Sequence, residues 1–548
     1  MSNSNLFGYT SGNWTYNDAQ RLHERRRVFN VTELIRLAAE SVRRSSEDVT
    51  SFTKLAEGKA NRTFCVTMHD GFKLIMKIPY HDTIPKGNGI ASEAATMEFL
   101  RAYGMPVPKV YAYSPTAENS AGTEYIAMEF ISGRNLENIW EGLQYIDKLT
   151  VIENVTELEA WLFAIEFPAS GSIYNQQDLE SPSQRVEIPW VISKSGQPFC
   201  VGPDTRPHLW RGRRHILESN RGPYKDFENV LTAGAKQEIT CLRAFGKPLH
   251  HVNRFKRRAF DFKKQDHEQY ISDLEKYLQA AKHVVPPDCN VLTKPTIRHP
   301  NLEFRHIFVS DNLEITGVVD WQNCAVLPLI LQCGIPRIFQ HDSKEMSMMV
   351  GFPELPTGLS EMDGDDQERE IRESTLRSVH SFYLTETWSK NEPHFDAMQE
   401  DPKGLLRKIF RDASAPWHGD SVSLRADLIQ LKRDWEETVV PYGDGCCSPC
   451  PFSYLDKEVR ECMVLQAKLK IWDTFQSNML ETVGCEFDGW VEPENFRRAK
   501  SRCMLLRGMI VEPGLLEHLE RMDGGSPQSP EAWLEHWPFD DRDESEYL

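Results

Sequence analysis

The sequence predicts an α+β protein of two lobes, in which a small antiparallel sheet with one inserted helix precedes a larger, mainly helical lobe. Three observations indicate this order. Short runs with a strand-like period occupy residues 51–78. A helical segment at 91–103 separates them from two further strand-like runs. Beyond Gly133 the long apolar segments have the spacing of helices.

The small lobe is preceded by a helix that we predict at residues 30–43. Asn30 can cap this helix, and Glu33 completes a capping-box pattern. Asp70-Gly71 supplies the D-G turn of a hairpin. The five strands of the sheet are expected at about 52–55, 63–68, 72–78, 108–113 and 123–130.

The large lobe is expected to contain one hairpin-like pair, at 305–310 and 313–319. An acidic, proline-containing stretch from Pro353 to Arg372 is typical of a solvated loop. Helices are predicted near 136–145, 151–166, 230–245, 268–282, 367–386, 421–438, 455–478 and 493–520. The chain then divides into an N-terminal extension (1–50), a small lobe (51–133), a large lobe (134–340), its helical C-terminal part (341–525) and a loose acidic tail (526–548).

Charge and hydropathy exclude two classes of partner. The chain of 548 residues has a formal net charge of −18, which argues against general nucleic-acid binding because that function favours basic surfaces. No apolar run approaches the roughly 20 residues of a spanning helix, so we expect no transmembrane segment. The start of the chain lacks the apolar core of a signal peptide. Its arginines, Arg21, Arg25, Arg26 and Arg27, fit either a mitochondrial presequence or a polar tail.

The 12 cysteines are scattered along the chain, which suits a reducing compartment better than a disulfide framework. One cluster, Cys446-Cys447-Ser448-Pro449-Cys450, contains a C-x-x-C motif. A tetrahedral zinc site would need a second pair at matching spacing. Because Cys462 and Cys485 are single, a loop with free thiols is favoured over a metal site.

The small lobe contains residues suited to phosphoryl transfer, which needs a cation on the phosphates and acidic metal ligands. Lys77 lies on the third predicted strand, and Glu93 lies on the inward face of helix 91–103. A carboxylate on that face needs a cationic partner, and Lys77 is the natural one. Gly58 marks the first turn, where backbone N–H groups could approach phosphates.

The strongest motif is Arg298-His299-Pro300-Asn301-Leu302-Glu303-Phe304-Arg305-His306-Ile307-Phe308-Val309, followed by Ile315-Thr316-Gly317-Val318-Val319-Asp320-Trp321. This layout resembles the H-x-D-L-x-x-x-N and h-h-D-W motifs of the aminoglycoside phosphotransferase and choline-kinase-like family, which has the bilobal protein-kinase-like fold. Leu55-Ala56-Glu57-Gly58, Pro106-Val107-Pro108-Lys109-Val110-Tyr111 and Asp488-Gly489-Trp490-Val491 resemble the fungal subgroup named for altered inheritance of mitochondria protein 9. The resemblance covers nearly the whole chain.

The resemblance implies a role for several residues. Lys77 would hold the α and β phosphates of ATP, and Glu93 would anchor it. Asp320 would bind Mg²⁺, and the peptide after Met128-Glu129 would face adenine. Gly58 would lie in the loop over the phosphates, and His299 would open the catalytic loop.

The catalytic loop departs from the family pattern at two central positions. Asn301 occupies the position of the catalytic aspartate, and an amide cannot accept the proton of a substrate hydroxyl. His306 occupies the position of a metal-binding asparagine, although Mg²⁺ prefers hard oxygen ligands. Glu303 adds a negative charge near the expected triphosphate, and Lys59 replaces a glycine that is common in the loop. All four changes point to an impaired phosphotransferase.

Two functions therefore follow from the sequence. One is ATP- and Mg²⁺-dependent transfer of phosphate to the hydroxyl of an unidentified small molecule, with weak or no activity. The alternative is a kinase-fold pseudoenzyme that acts as a binding or scaffold protein with a protein partner. The resemblance implies an intracellular, mitochondrial location, and the cytoplasm is the other possibility.

Overall fold

The computed structural model describes residues 3–193, 196, 198–284, 290–341, 348–351, 362–436, 449–509, 512–525 and 527–548. The predicted α+β fold is confirmed. A sheet-containing N-terminal lobe is followed by a larger lobe in which helices predominate.

The strands, in chain order, are β1 (Asn13–Trp14), β2 (Val49–Glu57), β3 (Asn61–Met68), β4 (Lys73–Pro79), β5 (Val110–Ser114), β6 (Tyr125–Glu129), β7 (Arg134–Asn135), β8 (Ser172–Asn175), β9 (Val186–Ile192), β10 (Pro198–Gly202), β11 (Pro295–Ile297), β12 (Ile307–Val309), β13 (Ile315–Val318), β14 (Val326–Pro328) and β15 (Trp490–Val491).

The α-helices are α1 (Asn3–Phe7), α2 (Asp18–Glu24), α3 (Val31–Ser41), α4 (Asn88–Ala102), α5 (Tyr145–Ala164), α6 (Phe227–Phe245), α7 (His267–Ala281), α8 (Asn290–Thr293), α9 (Leu329–Gln332), α10 (Gly364–Lys390), α11 (Glu392–Glu400), α12 (Leu405–Ala413), α13 (Val422–Arg433), α14 (Asp456–Val483), α15 (Phe496–Met509), α16 (Pro513–Asp523) and α17 (Pro530–Glu535).

The small lobe is a five-stranded antiparallel sheet in the order β2-β3-β4-β6-β5. The side chains of β3 and β4 alternate between two apolar cores, as the pleat requires. Ile75 faces α4, whose Ala94, Met97 and Leu100 are buried, and Met76 faces the side covered by α3. Asn30 caps α3 by accepting a hydrogen bond from the Glu33 amide at 3.2 Å.

The large lobe places the catalytic-loop motif on a small sheet in the order β13-β12-β7. Ile307 and Val309 of β12 are buried against Leu136 and Ile152. This packing fixes the β12–β13 hairpin, whose open end is flanked by His306 and Asp320 at the cleft between the lobes.

The N-terminal segment lies along the first hairpin of the small lobe. Arg62 is 2% exposed and donates hydrogen bonds to the carbonyl oxygens of Leu6 and Arg25 and to Glu57. Glu57 in turn accepts from the backbone amide of Thr10 at 2.8 Å. The same segment continues into β1, which pairs antiparallel with β15 near the other end of the chain.

Several sequence predictions for the large lobe were wrong in detail. The apolar run 136–145 forms two short 3₁₀ turns, Leu136–Asn138 and Trp140–Gly142, before α5 begins. A three-stranded antiparallel sheet in the order β8-β10-β9 was not predicted. The single helix expected at 493–520 is two helices, α15 and α16. The helix predicted at 367–386 is α10, which begins at Gly364 inside the acidic stretch that was predicted as loop, and Asp365 and Asp366 lie favourably in its first turn.

The acidic tail is packed against the large lobe instead of being loose. Trp533, Trp537 and Phe539 are buried in its main core. The Tyr547 hydroxyl donates to the carbonyl oxygen of His250 at 2.9 Å, and Arg257 donates to the same hydroxyl at 3.1 Å. Aromatic side chains among the acidic residues therefore anchor this segment.

Within the parts of the chain that the structure describes, no helix combines the length and apolar character needed to cross a membrane. Cys446 and Cys447 of the C-x-x-C cluster lie outside the described residues. Cys450 is described as a half-buried free thiol.

Candidate functional site

Lys77 lies between two carboxylates at the cleft between the lobes. Its Nζ atom is 2.6 Å from Oε1 of Glu93 and 2.7 Å from Oδ1 of Asp320. The Lys77 and Glu93 side chains are only 5% and 2% exposed, whereas that of Asp320 is 39% exposed. The structure thus brings together two residues of the small lobe and one residue of the large lobe that the sequence singled out.

Secondary structure positions the Lys77–Glu93 pair. Lys77 lies on a central strand, opposite Thr63 of β3 and Ile126 of β6. Glu93 lies in the second turn of α4, on the helix that covers this sheet. Burial opposes the charge on Lys77, but the carboxylates of Asp320 and Glu93 outweigh it and raise its pKa. Lys77 is therefore a fixed cation.

Asp320 follows β13 in a left-handed backbone conformation, with φ of 67°. The Val319 amide donates to the carbonyl oxygen of His306 at 2.9 Å, and the indole N–H of Trp321 donates to the Val318 carbonyl at 3.0 Å. These bonds on both sides impose the turn, which few residues other than glycine adopt freely. The charge of Lys77 lowers the pKa of Asp320 to about 2, so Asp320 is an anion at neutral pH.

Asn301 and His306 lie at the start and end of the catalytic loop. The Asn301 side-chain amide donates to Oε1 of Glu303 at 2.7 Å, and Glu303 also forms an ion pair with Arg305. The Nδ1 atom of His306 is 2.8 Å from the Asn301 carbonyl oxygen. Its Nε2 atom is 3.5 Å from Oδ2 of Asp320.

His299 is a structural member of this loop. Its Nε2 donates to the Val319 carbonyl at 3.0 Å, and its Nδ1 accepts from the Asn301 amide at 3.3 Å. Burial lowers the pKa of His299 to about 4, so the ring is neutral at physiological pH. His299 therefore connects the loop to the backbone beside Asp320 rather than exchanging protons.

Arg298 fastens the loop to the large lobe. Its Nε donates to Glu159 of α5 at 2.7 Å, and its Nη atoms donate to the carbonyl oxygens of Gln332 and Gly334. Tyr383 of α10 also donates to Glu159, at 2.5 Å. The loop is thus attached to three separate segments of the lobe.

The structure also shows the surroundings of the other residues that were predicted to contact nucleotide. The Gly58 amide donates to the Asn61 carbonyl at 2.8 Å, so in this conformation it is not directed at a phosphate. Met128 is buried in β6, between Ile75 and Val110. Glu129 accepts from Arg101 at 2.9 Å and from the Lys109 amide at 3.0 Å. The roles of Gly58, Met128 and Glu129 stay predictions.

One further hydrogen bond across the cleft was not predicted from the sequence. Asn61, at the start of β3, donates to Oε1 of Gln322 at 3.0 Å. This bond joins the first turn of the small lobe to the residue two positions after Asp320. The sequence offered one hint of this contact, because a polar residue, Gln322, directly follows the Asp320-Trp321 motif.

The residues fit Mg²⁺ only in part. Asp320 offers one carboxylate oxygen, and Mg²⁺ sites commonly combine one or two carboxylates with substrate phosphates. The neighbouring group is the imidazole of His306, which suits softer ions. Among the described residues there is no cluster of three or more His, Cys, Asp or Glu side chains that could hold a metal.

Comparison with known proteins shows what the chain resembles. Residues 51–157, which include Lys77 and Glu93, match the model of the phosphotransferase enzyme family. Among solved structures, the streptomycin–ATP complex of APH(2")-IIa has a TM-score of 0.36 and 12% identity. It covers 75% of this chain and 100% of that chain. A structure of the fructosamine-3-kinase type from Thermobifida fusca has a TM-score of 0.32 and 14% identity, over 74% of this chain and 98% of its own.

Two relatives match over most of the chain. A subtelomeric hrmA-associated cluster protein of Aspergillus fumigatus is 28% identical, over 90% of this chain and 97% of its own length. Altered inheritance of mitochondria protein 9 of Clavispora lusitaniae is 23% identical, over 91% of this chain and 88% of its own. The resemblance to the aminoglycoside phosphotransferase family and to its altered-inheritance-of-mitochondria-9 subgroup is confirmed.

Proposed function

We propose that this chain binds ATP in the cleft between the lobes and is an impaired phosphotransferase toward a small-molecule hydroxyl. The observation that carries the proposal is the position of Lys77, whose ammonium group is within hydrogen-bond distance of both Glu93 and Asp320. This arrangement holds a cation and a partly exposed carboxylate at fixed positions across the cleft. Positioning and electrostatics are the main contributions that a protein makes to phosphoryl transfer.

Binding would use the two sides of the cleft differently. Lys77 would donate to phosphate oxygens while Glu93 keeps it oriented from the buried side. Asp320 would hold a divalent cation, which would neutralise negative charge on the phosphates. The local cluster of one ammonium and two carboxylates carries a net negative charge, so a triphosphate requires this cation to approach Asp320.

Transfer is expected to be slow because of Asn301. Its amide nitrogen donates to Glu303, and an amide cannot take a proton from an attacking hydroxyl. Loss of a general base typically costs about 10²–10⁴-fold in rate. Some activity can survive because electrostatic positioning does not depend on that proton transfer.

A thermal-shift titration of the full chain with ATP, with and without a divalent cation, tests the binding part. A ligand at about 100 times its Kd stabilises the folded state by roughly 2.7 kcal/mol. We expect a saturable, cation-dependent rise of Tm that Asp320→Asn abolishes. The absence of any shift at millimolar ATP contradicts the proposal.

The variant Asn301→Asp/His306→Asn tests the impairment. If these two residues limit the chemistry, ATP turnover in the double variant rises by about 10²-fold or more over the wild type. Asn312→Asp, on the exposed β12–β13 turn, is the matched control and leaves turnover unchanged. If ATP turnover in the double variant equals that of the wild type, Asn301 and His306 alone are not the cause of the low activity.

A second candidate function is a kinase-fold binding protein without transfer activity. It is favoured by the Asn301–Glu303 bond and by the Gly58 amide, which bonds within its own turn. The names of relatives such as the Yarrowia lipolytica protein support a mitochondrial location. Binding of ATP without turnover, even in the restored variant, would favour this function.

A further inference from the structure

Helix α15 (Phe496–Met509) is basic, although the chain as a whole is strongly acidic. Its cationic residues are Arg497, Arg498, Lys500, Arg502 and Arg507, and it contains no carboxylate. The whole chain, by contrast, has a formal net charge of −18. A concentration of positive charge on one helix favours a partner that carries negative charge.

The inward face of α15 is already packed against the protein. Ala499 and Cys503 are buried in the main core of the large lobe, and Leu506 packs against the same core. Spacings of four and three residues place these three side chains on one side of the helix. The side chains on the opposite side therefore point away from the large lobe.

The outward face of α15 combines large apolar side chains with arginines. Met504 and Leu505 are 67% and 69% exposed, and Met509 is 48% exposed. Arg497 lies seven residues before Met504, and Arg498 has the same spacing to Leu505. Seven residues are close to two helical turns, so each arginine shares a side of the helix with an apolar residue. A group of exposed apolar side chains on one face marks an interaction surface.

Two of the cations hold the helix in place. Lys500 donates to the Thr15 carbonyl oxygen at 3.0 Å, and Arg502 donates to that of Val483 at 3.3 Å. These two side chains are only half-exposed. The positive charge that faces outward is therefore carried by the three other cations.

Arg497 and Arg498 are available to an external partner. Both are exposed. Among the described residues, the ion pair that involves this helix joins Arg507 to Asp540 at 3.1 Å. Both members of that pair are partly exposed, and pairs of this kind contribute little, so Arg507 can also interact with another anion.

Carboxylates at the edge of this surface leave most of its positive charge uncompensated. Glu492 and Glu494 are exposed just before α15 begins. Glu494 lies eleven residues before Leu505, which corresponds to roughly 15 Å along a helix axis. The end of the helix that carries the apolar side chains is therefore well separated from these two acids.

We propose that the outward face of α15 binds the surface of an anionic phospholipid bilayer, with the helix lying in the plane of the interface. The arginines attract anionic headgroups, and the apolar side chains Met504, Leu505 and Met509 enter the boundary between headgroups and acyl chains. The long stem of an arginine can lie along apolar surface while its charged end stays among the headgroups. A nucleic acid would use the arginines but would leave the exposed apolar side chains unexplained.

The acidic remainder of the chain does not prevent this contact. At physiological ionic strength, exposed charges farther than about 8–10 Å from the bilayer are largely screened, whereas the arginines of α15 lie at the contact itself. The association is peripheral, because one side of the helix is packed against the large lobe. Neither Lys77 nor Asp320 takes part, so the inference is independent of the proposed function.

Co-sedimentation of the full chain with phospholipid vesicles tests this inference. We expect the chain to sediment with vesicles of equimolar phosphatidylserine and phosphatidylcholine, and to stay in solution with vesicles of phosphatidylcholine alone. Arg497→Gln/Arg498→Gln should lower the partition coefficient by about tenfold or more. Met504→Ser/Leu505→Ser should lower it by roughly tenfold as well, because less apolar surface is buried in the interface.

Two further variants are the matched controls. Arg369→Gln/Arg372→Gln removes two positive charges from exposed positions of α10. Ile146→Ser replaces an apolar side chain that is 67% exposed on α5. We expect both to bind the vesicles as the wild type does. The substituted side chains are exposed in every variant, and circular dichroism checks that each variant is folded.

The absence of sedimentation with the anionic vesicles overturns the inference, and so does binding that either α15 variant leaves unchanged. If the arginine variant alone loses binding, the surface recognises a polyanion such as a nucleic acid, and the assignment to a bilayer is wrong. An equal loss in Arg369→Gln/Arg372→Gln would show that general electrostatics, and not α15, drives the association. Vesicle binding that depends on α15 in a chain that does not bind ATP keeps this surface and removes the proposed function.

Discussion

At the residue scale, the Lys77 ammonium group compensates two carboxylates in a nearly buried position. Glu93 is 2% exposed and forms an ion pair with Lys77 at 2.6 Å. Burial of an unpaired charge is costly, so removal of one member of such a pair destabilises a protein by about 3–5 kcal/mol. The pair therefore supports the fold as well as the proposed site.

Lys77→Met should lower the free energy of unfolding by about 3–5 kcal/mol. The double variant Lys77→Met/Glu93→Gln should lose less free energy of unfolding than the single variant, because it no longer buries the unpaired charge of Glu93. Urea unfolding followed by circular dichroism measures both. The control Lys73→Met, an exposed residue at the start of the same strand, should cost about 1 kcal/mol or less. Equal losses in the single and double variants would contradict this explanation.

Some contacts of the site were readable from the sequence and others were not. The Lys77–Glu93 pair could be predicted because Glu93 shares a helix face with apolar residues of α4. A carboxylate on that inward face needs a cationic partner. The Lys77–Asp320 contact joins residues that are 243 positions apart, and no local pattern encodes it. The left-handed turn at Asp320 was also hidden, since tertiary hydrogen bonds select this uncommon backbone conformation there.

At the scale of elements, segment 6–11 is held to the first hairpin by buried Arg62 together with Lys54 and Glu57. Arg62→Met should release this segment, because the carbonyl oxygens of Leu6 and Arg25 lose their donor and Glu57 loses a charge partner. We expect a loss of about 3–5 kcal/mol in stability. Amide hydrogen exchange at Thr10, whose N–H donates to Glu57, should become much faster.

Arg134→Met is the control for this prediction. Arg134 is 45% exposed and its ion pair with Asp311 is at the surface, where such pairs contribute little. Exchange at Thr10 should remain as in the wild type. Unchanged exchange in Arg62→Met would show that other contacts of this segment suffice to hold it.

Elements with clear sequence signals of a strand or a helix were predicted well, and elements without such signals were missed. The strands of the small lobe are bounded by clear turn signals such as Asp70-Gly71. The sheet β8-β10-β9 is formed by short strands, and β9 carries Pro189 inside it and exposed Trp190. Its pattern is neither alternating nor helical. The run 136–145 is apolar because it covers the β12–β13 hairpin, and not because it is a helix.

At the scale of the whole molecule, several histidines are kept neutral by the fold. Burial lowers the pKa of His299, His418 and His536 to about 4, from an ordinary value of 6.5. Unfolding therefore takes up protons between pH 6.5 and 4. Stability is fully present above pH 6.5 and is lost as the pH falls through this window.

The free energy of unfolding should fall by about 1–2 kcal/mol for each of these histidines between pH 7.5 and pH 5. Urea unfolding at several pH values measures this slope. His536→Gln should make the slope shallower, because its amide oxygen can still accept from Arg257 but does not titrate. His69→Gln, on an exposed turn, is the control. A stability that is flat from pH 7.5 to pH 5 would refute this prediction.

The pairing of β1 with β15 sets an order on folding during synthesis. The Thr15 hydroxyl bonds to the Gly489 carbonyl across 474 positions of sequence. At about 5–20 residues per second, a ribosome needs roughly 25–95 s to make the intervening chain. The small-lobe sheet can form during that time, while Trp14, which is 1% exposed in the finished protein, has no strand to pair with. Nascent chains that stop short of residue 490 leave that tryptophan uncovered, so they are the species that we expect chaperones and proteases to recognise.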